Sequence, residues 1–243
     1  SADNIYAAPV VSNPFEGDST ALVGFLMTIN IALDGGSFTV PGNAGSGSYN
    51  GTIDYGDGSL TKHFSAWDDP DFTHIYATAG NYQIKITGTF PQIYFNNVGD
   101  KLLVLSVENW GDVGWINFYR SFLGCSNLTE ITAEDGVNFG AVIDFQDCFF
   151  GCSSLININT DGWDVANATK FIGMFSGCTN LTAFDGSTWT TTSLESISSM
   201  FGTCDNILTI NMDNWNVSNV VSFVKVFDRC SVLTTLDIAN WST

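Results

Sequence analysis

The sequence predicts a β-sandwich followed by an α/β solenoid built from units of about 26 residues. Three observations carry this. A Phe–Cys pair three residues apart recurs as Phe122/Cys125, Phe149/Cys152, Phe175/Cys178, Phe201/Cys204 and Phe227/Cys230, at steps of 27, 26, 26 and 26. Trp163, Trp189, Trp215 and Trp241 keep the step of 26. Ahead of them, short apolar runs with period two, separated by turn-rich stretches, read as strands. A repeat of this length marks small units that cannot bury a core alone and therefore stack on one another.

Residues 1–18 are polar and aperiodic, with Pro9 and Pro14, and read as an extended arm. Val23, Phe25, Met27, Ile29 and Ile31 alternate as a half-buried strand should. Short strands follow at Ser37–Val40, Gly51–Tyr55, Phe72–Tyr76 and Tyr82–Thr87, which places a sandwich over residues 19–97. The stretch from Thr89 to Lys101 is apolar at Ile93, Tyr94 and Phe95. It is expected to bridge the halves and cap the first repeat, because an apolar edge needs cover.

Residues 98–243 divide into five units and a partial one. Phe171, Met174, Phe175 and Cys178 stand at i, i+3, i+4 and i+7, one stripe of a short helix. Ile197, Met200, Phe201, Cys204 and Phe223, Val226, Phe227, Cys230 repeat it. In Phe145, Cys148, Phe149, Cys152 the extra cysteine fills the slot of Met174, and in Phe118, Ser121, Phe122, Cys125 a serine stands there. A second pattern follows each stripe, as in Leu233, Leu236, Ile238 and Trp241, where two apolar residues flanking one variable residue predict a short strand. Asn214, Asn216 and Asn219 fall in the turn after the strand, where amides satisfy backbone groups. The predicted repeat core is Phe122, Cys125, Phe149, Cys152, Trp163, Phe175, Cys178, Trp189, Phe201, Cys204, Trp215, Phe227, Cys230 and Trp241. One residue is inserted near Glu134, Asp135 and Gly136, and Val137 replaces the Trp, so this irregular spot is a candidate for a specific contact.

Composition narrows the function. There are 25 acidic residues against 7 basic, a net charge of −18. Such a chain repels phosphate backbones and anionic lipid, so no nucleic-acid partner is expected. No apolar run is long enough for membrane insertion. Five of the six cysteines occupy one slot in successive units, Cys148 stands in the core slot of Met174, and all read as buried thiols rather than disulfides or a zinc site. Of the two histidines, His74 falls on a predicted strand and His63 in a polar loop, so neither is positioned as a catalytic base. Asp54 and Asp57 are the candidate metal ligands, for calcium, since hard cations take several oxygens. The competing reading is that Gly56-Asp57-Gly58 makes a tight turn. No other cofactor is expected.

Two segments resemble known families. Phe-Ser-Gly-Cys-Thr-Asn-Leu-Thr at 175–182 and Asn-Trp-Asn-Val-Ser-Asn-Val at 214–220 resemble the BspA-type leucine-rich repeats of bacterial surface proteins, over residues 102–243. Ile53-Asp54-Tyr55-Gly56-Asp57-Gly58, with His74-Ile75-Tyr76 and Ala79-Gly80-Asn81-Tyr82, is similar to the PKD domain, an immunoglobulin-like sandwich, over residues 19–90. These resemblances imply a non-enzymatic, extracellular, surface-displayed protein for adhesion or recognition, with a protein or glycan ligand. The alternative is a structural subunit of an extracellular filament or a phage virion appendage. No polar unit follows Trp241, so two expectations stand: the natural chain continues beyond residue 243, or the last apolar face is covered by self-association or attachment to a larger assembly.

Overall fold

The computed structural model describes residues 24–133 and 139–241. The expected arm at 1–18, the start of the first strand at Val23 and the irregular spot at 134–137 lie outside them. Among the described residues are twelve strands, two 3-10 turns and no α-helix.

Strands β1 (Phe25–Ile31), β3 (Asn50–Asp54), β4 (Lys62–Phe64), β6 (Gly80–Thr89), β7 (Val104–Asn109), β8 (Glu130–Ile131) and β9 (Asn157–Ile158) form one sheet in the order β4-β3-β6-β1-β7-β8-β9. Strands β2 (Ser37–Thr39) and β5 (Thr73–Ile75) make an antiparallel pair. Strands β10 (Ala183–Asp185), β11 (Thr209–Asn211) and β12 (Thr235–Asp237) pair in parallel, each shifted from the last by one repeat. The period-two pattern explains β1: Phe25, Met27, Ile29 and Ile31 are buried.

This corrects the predicted fold class. The chain is almost all β, built of mixed sheets, and is not a sandwich followed by an α/β solenoid. The large sheet crosses the expected boundary, because β7 pairs antiparallel with β1 and parallel with β8. Tertiary pairing, which no local pattern reports, joined the two halves.

The missing helices have a local cause. The apolar stripe of each unit lies on overlapping turns: Met174 N donates to Phe171 O, Ser176 N to Gly173 O and Cys178 N to Phe175 O. The alternate donors Phe171 N, Gly173 N, Phe175 N and Gly177 N reach Ser196 O, Ser198 O, Met200 O and Gly202 O in the next unit. An α-helix spends all such donors within itself. Two slots per unit have positive φ, one holding Arg120, Asp147, Gly173, Ser199 and Lys225, the other Gly124, Gly151, Gly177, Thr203 and Arg229. Left-handed residues at this spacing end any helix and turn alternate N–H groups outward.

Side chains then stack in columns. Phe122, Phe149, Phe175 and Phe201 lie 5.5, 5.6 and 5.7 Å apart between successive ring centroids, all near parallel. Trp163, Trp189 and Trp215 form a second column at 5.6 and 5.7 Å. Trp189 Nε1 donates to Thr160 O, Trp215 Nε1 to Gly186 O and Trp241 Nε1 to Met212 O, so these three indoles enter the core with their polar atom satisfied, whereas the buried Trp163 Nε1 has no partner among the described residues. The bridging stretch docks on the first unit through Phe95 N to Ser121 O and Asn97 N to Leu123 O. Gln92 is buried there, taking bonds from Asn43 and Ser46 and donating to Tyr119 O at 2.8 Å, which ties three segments together.

Candidate functional site

The inward slots of the repeat are nearly constant and the outward ones are not. Next to Phe118, Phe145, Phe171, Ile197 and Phe223, the first apolar residue of each turn segment, stand Tyr119, Gln146, Ile172, Ser198 and Val224, none of them buried. The positive-φ slot beside them carries Arg120, Asp147, Gly173, Ser199 and Lys225. For a residue with a Cβ this backbone costs about 1–3 kcal/mol. Gly173 shows that glycine is accommodated in this slot, yet the other four units place a side chain there.

Over the first units these side chains form a connected strip. Tyr94 and Tyr119 stack at 6.5 Å with 26° between planes. The Arg120 guanidinium lies 4.9 Å from the centre of the Tyr119 ring. Its Nη1 donates to Asn96 Oδ1 at 3.3 Å and its Nε to Asp147 Oδ2 at 3.4 Å, and Gln146 Nε2 reaches the same oxygen. Asp147 Oδ1 sits above Gly173, where an added Cβ would come within 2.6 Å of it. One rung further, Lys170 pairs with Asp144 at 3.6 Å. The sequence passed over this strip, since Tyr119, Arg120, Gln146 and Asp147 read as part of short helices and Tyr94 and Asn96 as part of the bridging stretch; the signal available was charge standing in a slot that glycine also fills.

The residues singled out from sequence lie elsewhere. Asp54 Oδ1 accepts from Gly56 N, and Asp57 Oδ1 from Ser59 N, so both carboxylates shape the tight turn. Asp57 Oδ2 holds His74 Nε2 at 2.7 Å, and the His74 ring stacks on Tyr55 at 4.3 Å. Burial pushes the Asp57 carboxyl up, but hydrogen bonds from Ser59 and His74 outweigh it and hold it at about 2. Among the described residues no group of three or more His, Cys, Asp or Glu side chains could hold a metal ion. His63 is in β4, a strand that sequence reading took as a loop, and is exposed.

Phe122, Phe149, Phe175, Phe201, Trp163, Trp189 and Trp215 are buried, while Phe227 and Trp241 are partly so. Cys125, Cys148, Cys152, Cys178 and Cys204 are buried free thiols, and Cys230 is half-buried. Cys152, Cys178, Cys204 and Cys230 each donate to the carbonyl of a Phe one unit back: Phe122, Phe149, Phe175 and Phe201, at 3.1–3.2 Å. Burial pushes these thiols up, which keeps them protonated, and it shields Cys152, Cys178 and Cys204 from reagents while Cys230 is half-open. Asn127, Asn167, Asn214 and Asn219 donate their amides to carbonyls of the preceding unit.

At the last unit the core emerges. Val221 is 87% exposed and Val224 61%, Phe223 is exposed, and all three residues of β12 are exposed at the sheet edge. No helix among the described residues is long and apolar enough to cross a membrane.

Fold and strip together define a β-rich repeat protein whose units share one aromatic core and differ on their outer face. The chain belongs to the family described as "Mycoplasma protein of unknown function, DUF285", whose profile matches residues 116–241, more than half its length. No curated protein and no solved structure matches it.

Proposed function

We propose that this is a non-enzymatic recognition protein, displayed outside the cell, which binds a surface ligand through the outward slots of its turn segments. The single observation behind the reading is the division of labour within the repeat. Phe, Cys and Trp recur in the buried columns, while Tyr119, Gln146, Ile172, Ser198 and Val224 change character from one unit to the next. A rigid frame with changeable outward side chains is what binding surfaces are made of. The resemblance of residues 102–243 to bacterial surface repeats agrees with it. The test is binding of the labelled chain to host cells and immobilised extracellular proteins and glycans. Substitutions in the outward slots are expected to change binding with little change in melting temperature; retained binding after Tyr119, Gln146, Ile172 and Val224 are all replaced by Ser, the residue already at 198, would end the reading.

A second reading, a subunit of a filament or virion appendage, is supported by the exposed Val221, Phe223 and Val224 and by the far edge of β12, which pairs with β11 alone among the described residues, since such edges invite another chain. Sedimentation velocity across a concentration series tests it: a sharp monomer at high concentration excludes it.

A further inference from the structure

We infer that the strip of Tyr94, Tyr119, Arg120, Asn96, Gln146 and Asp147 is a binding site for a neutral oligosaccharide. The inference rests on the recognition reading above and gives it a ligand class and a place. Sugars present C–H faces that lie on aromatic rings and hydroxyls that bond to planar polar groups, and the strip offers both. The Tyr94 and Tyr119 rings, 6.5 Å apart and 26° from parallel, are partly exposed and form a tiled aromatic surface. Beside it the Arg120 guanidinium, the Asn96 and Gln146 amides and the Asp147 carboxylate are tied together at 3.3–3.4 Å. They are therefore held in place before any ligand arrives, which lowers the ordering cost of binding. The frame beneath is stiff: Gln92 Nε2 anchors Tyr119 O at 2.8 Å, and Asn96 N and Phe95 N bond the carbonyls of Arg120 and Ser121.

Charge selects among ligands. Arg120 and Asp147 neutralise each other within the strip, and the chain as a whole carries −18. A polyanion is repelled and a polycation finds no local excess of carboxylate, so a neutral, hydroxyl-rich ligand fits best. Arg120 and Asp147 sit at φ of +55°, a conformation in which Gly173 shows the relaxed alternative; Ser199 and Lys225 share it outside the strip, so it belongs to the repeat, while the rings, the polar groups and the charge balance mark the site.

The experiment probes the full chain on an array of immobilised neutral di- to hexasaccharides of hexoses and N-acetylhexosamines, then measures the strongest binder by calorimetry. Two variants follow. Tyr119→Ala is expected to weaken binding by about tenfold or more, as removal of a central aromatic contact does. Arg120→Gly relieves the left-handed strain, so it is expected to melt no lower than the parent while binding weakens by a similar factor. Oligosaccharide binding lost in both variants, with Arg120→Gly fully folded, supports the site. Binding that both variants leave unchanged overturns the site. Binding to cells or proteins with none to any neutral oligosaccharide overturns the ligand class and leaves the recognition reading standing. No binding to cells, proteins or oligosaccharides overturns both.

Discussion

Residues 25–109 hydrogen-bond along strands of up to ten residues, whereas from Glu130 onward no described strand exceeds three. In the first region a strand such as β1 satisfies its backbone against β6 on one side and β7 on the other. Its core is irregular, with Tyr49, Phe64, Phe72 and Phe90 meeting at varied tilts. In the second region the bonds run from unit to unit, and the core is stacked copies of the same ring. The comparison teaches that one buried aromatic content can be organised by sheet pairing or by translation. In the translated half each unit leans on its immediate neighbours, so the middle is held from two sides and the end from one.

The largest effect expected from this contrast concerns two equivalent rings. Phe175→Ala, in the middle of the column, is expected to cost about 3–5 kcal/mol in urea unfolding, and Phe227→Ala, in the part-exposed last unit, less than about half of that. Equal losses would mean that the units do not depend on neighbours. In the antiparallel region, Glu108 is half-buried beside Thr28 and Ser106, with its Oε2 enclosed and unpartnered among the described residues. Burial pushes its carboxyl up. The folded chain therefore holds this proton more tightly than the unfolded one, and stability falls as pH rises from the ordinary glutamate range through the raised value. Glu108→Gln is expected to raise stability at neutral pH by about 1–3 kcal/mol, the scale of a buried unsatisfied group, and to remove that slope.

Smaller effects sharpen the picture. Asp57 behaves in the opposite sense. With its carboxyl lowered from 3.8 to about 2, its contribution is present above pH 3.8 and lost as pH falls through about 2. Asp57→Asn is expected to flatten that acid limb, measured as melting temperature against pH. Finally, iodoacetamide with peptide mapping is expected to modify Cys230 first and Cys178 only after global unfolding, with little change in stability on modest Cys230 labelling. Rapid labelling of Cys178 in the native chain would contradict the stacked core.

Much of the repeat half was legible because identity at a fixed step is a global signal carried by single residues. Phe122, Phe149, Phe175 and Phe201 share a column for the same reason they share a slot in the sequence. What misled was local: i, i+3, i+4, i+7 fits a helix, and overlapping turns meet the same spacing. Glycine at 124, 151, 173 and 177 was the available warning, since glycine at that density opposes a helix. In the first half, the expected runs around 37–40, 51–55 and 82–87 overlap β2, β3 and β6, but β4 was missed because Lys62-His63-Phe64 is too short and polar to alternate. The outer strip was illegible because its members Tyr94, Tyr119 and Asp147 come from three successive rungs.

The sequence by itself determined which residues turn inward and at what interval, because burying Phe, Trp and Cys is a property of their own chemistry repeated along the chain. Only the tertiary structure decided where each backbone N–H goes. A donor that closes a helix and one that crosses to the next unit look alike along the chain, and the choice depends on a neighbour twenty-six residues away. That choice made the fold β rather than α/β, and it brought Tyr94, Arg120 and Asp147 onto one surface.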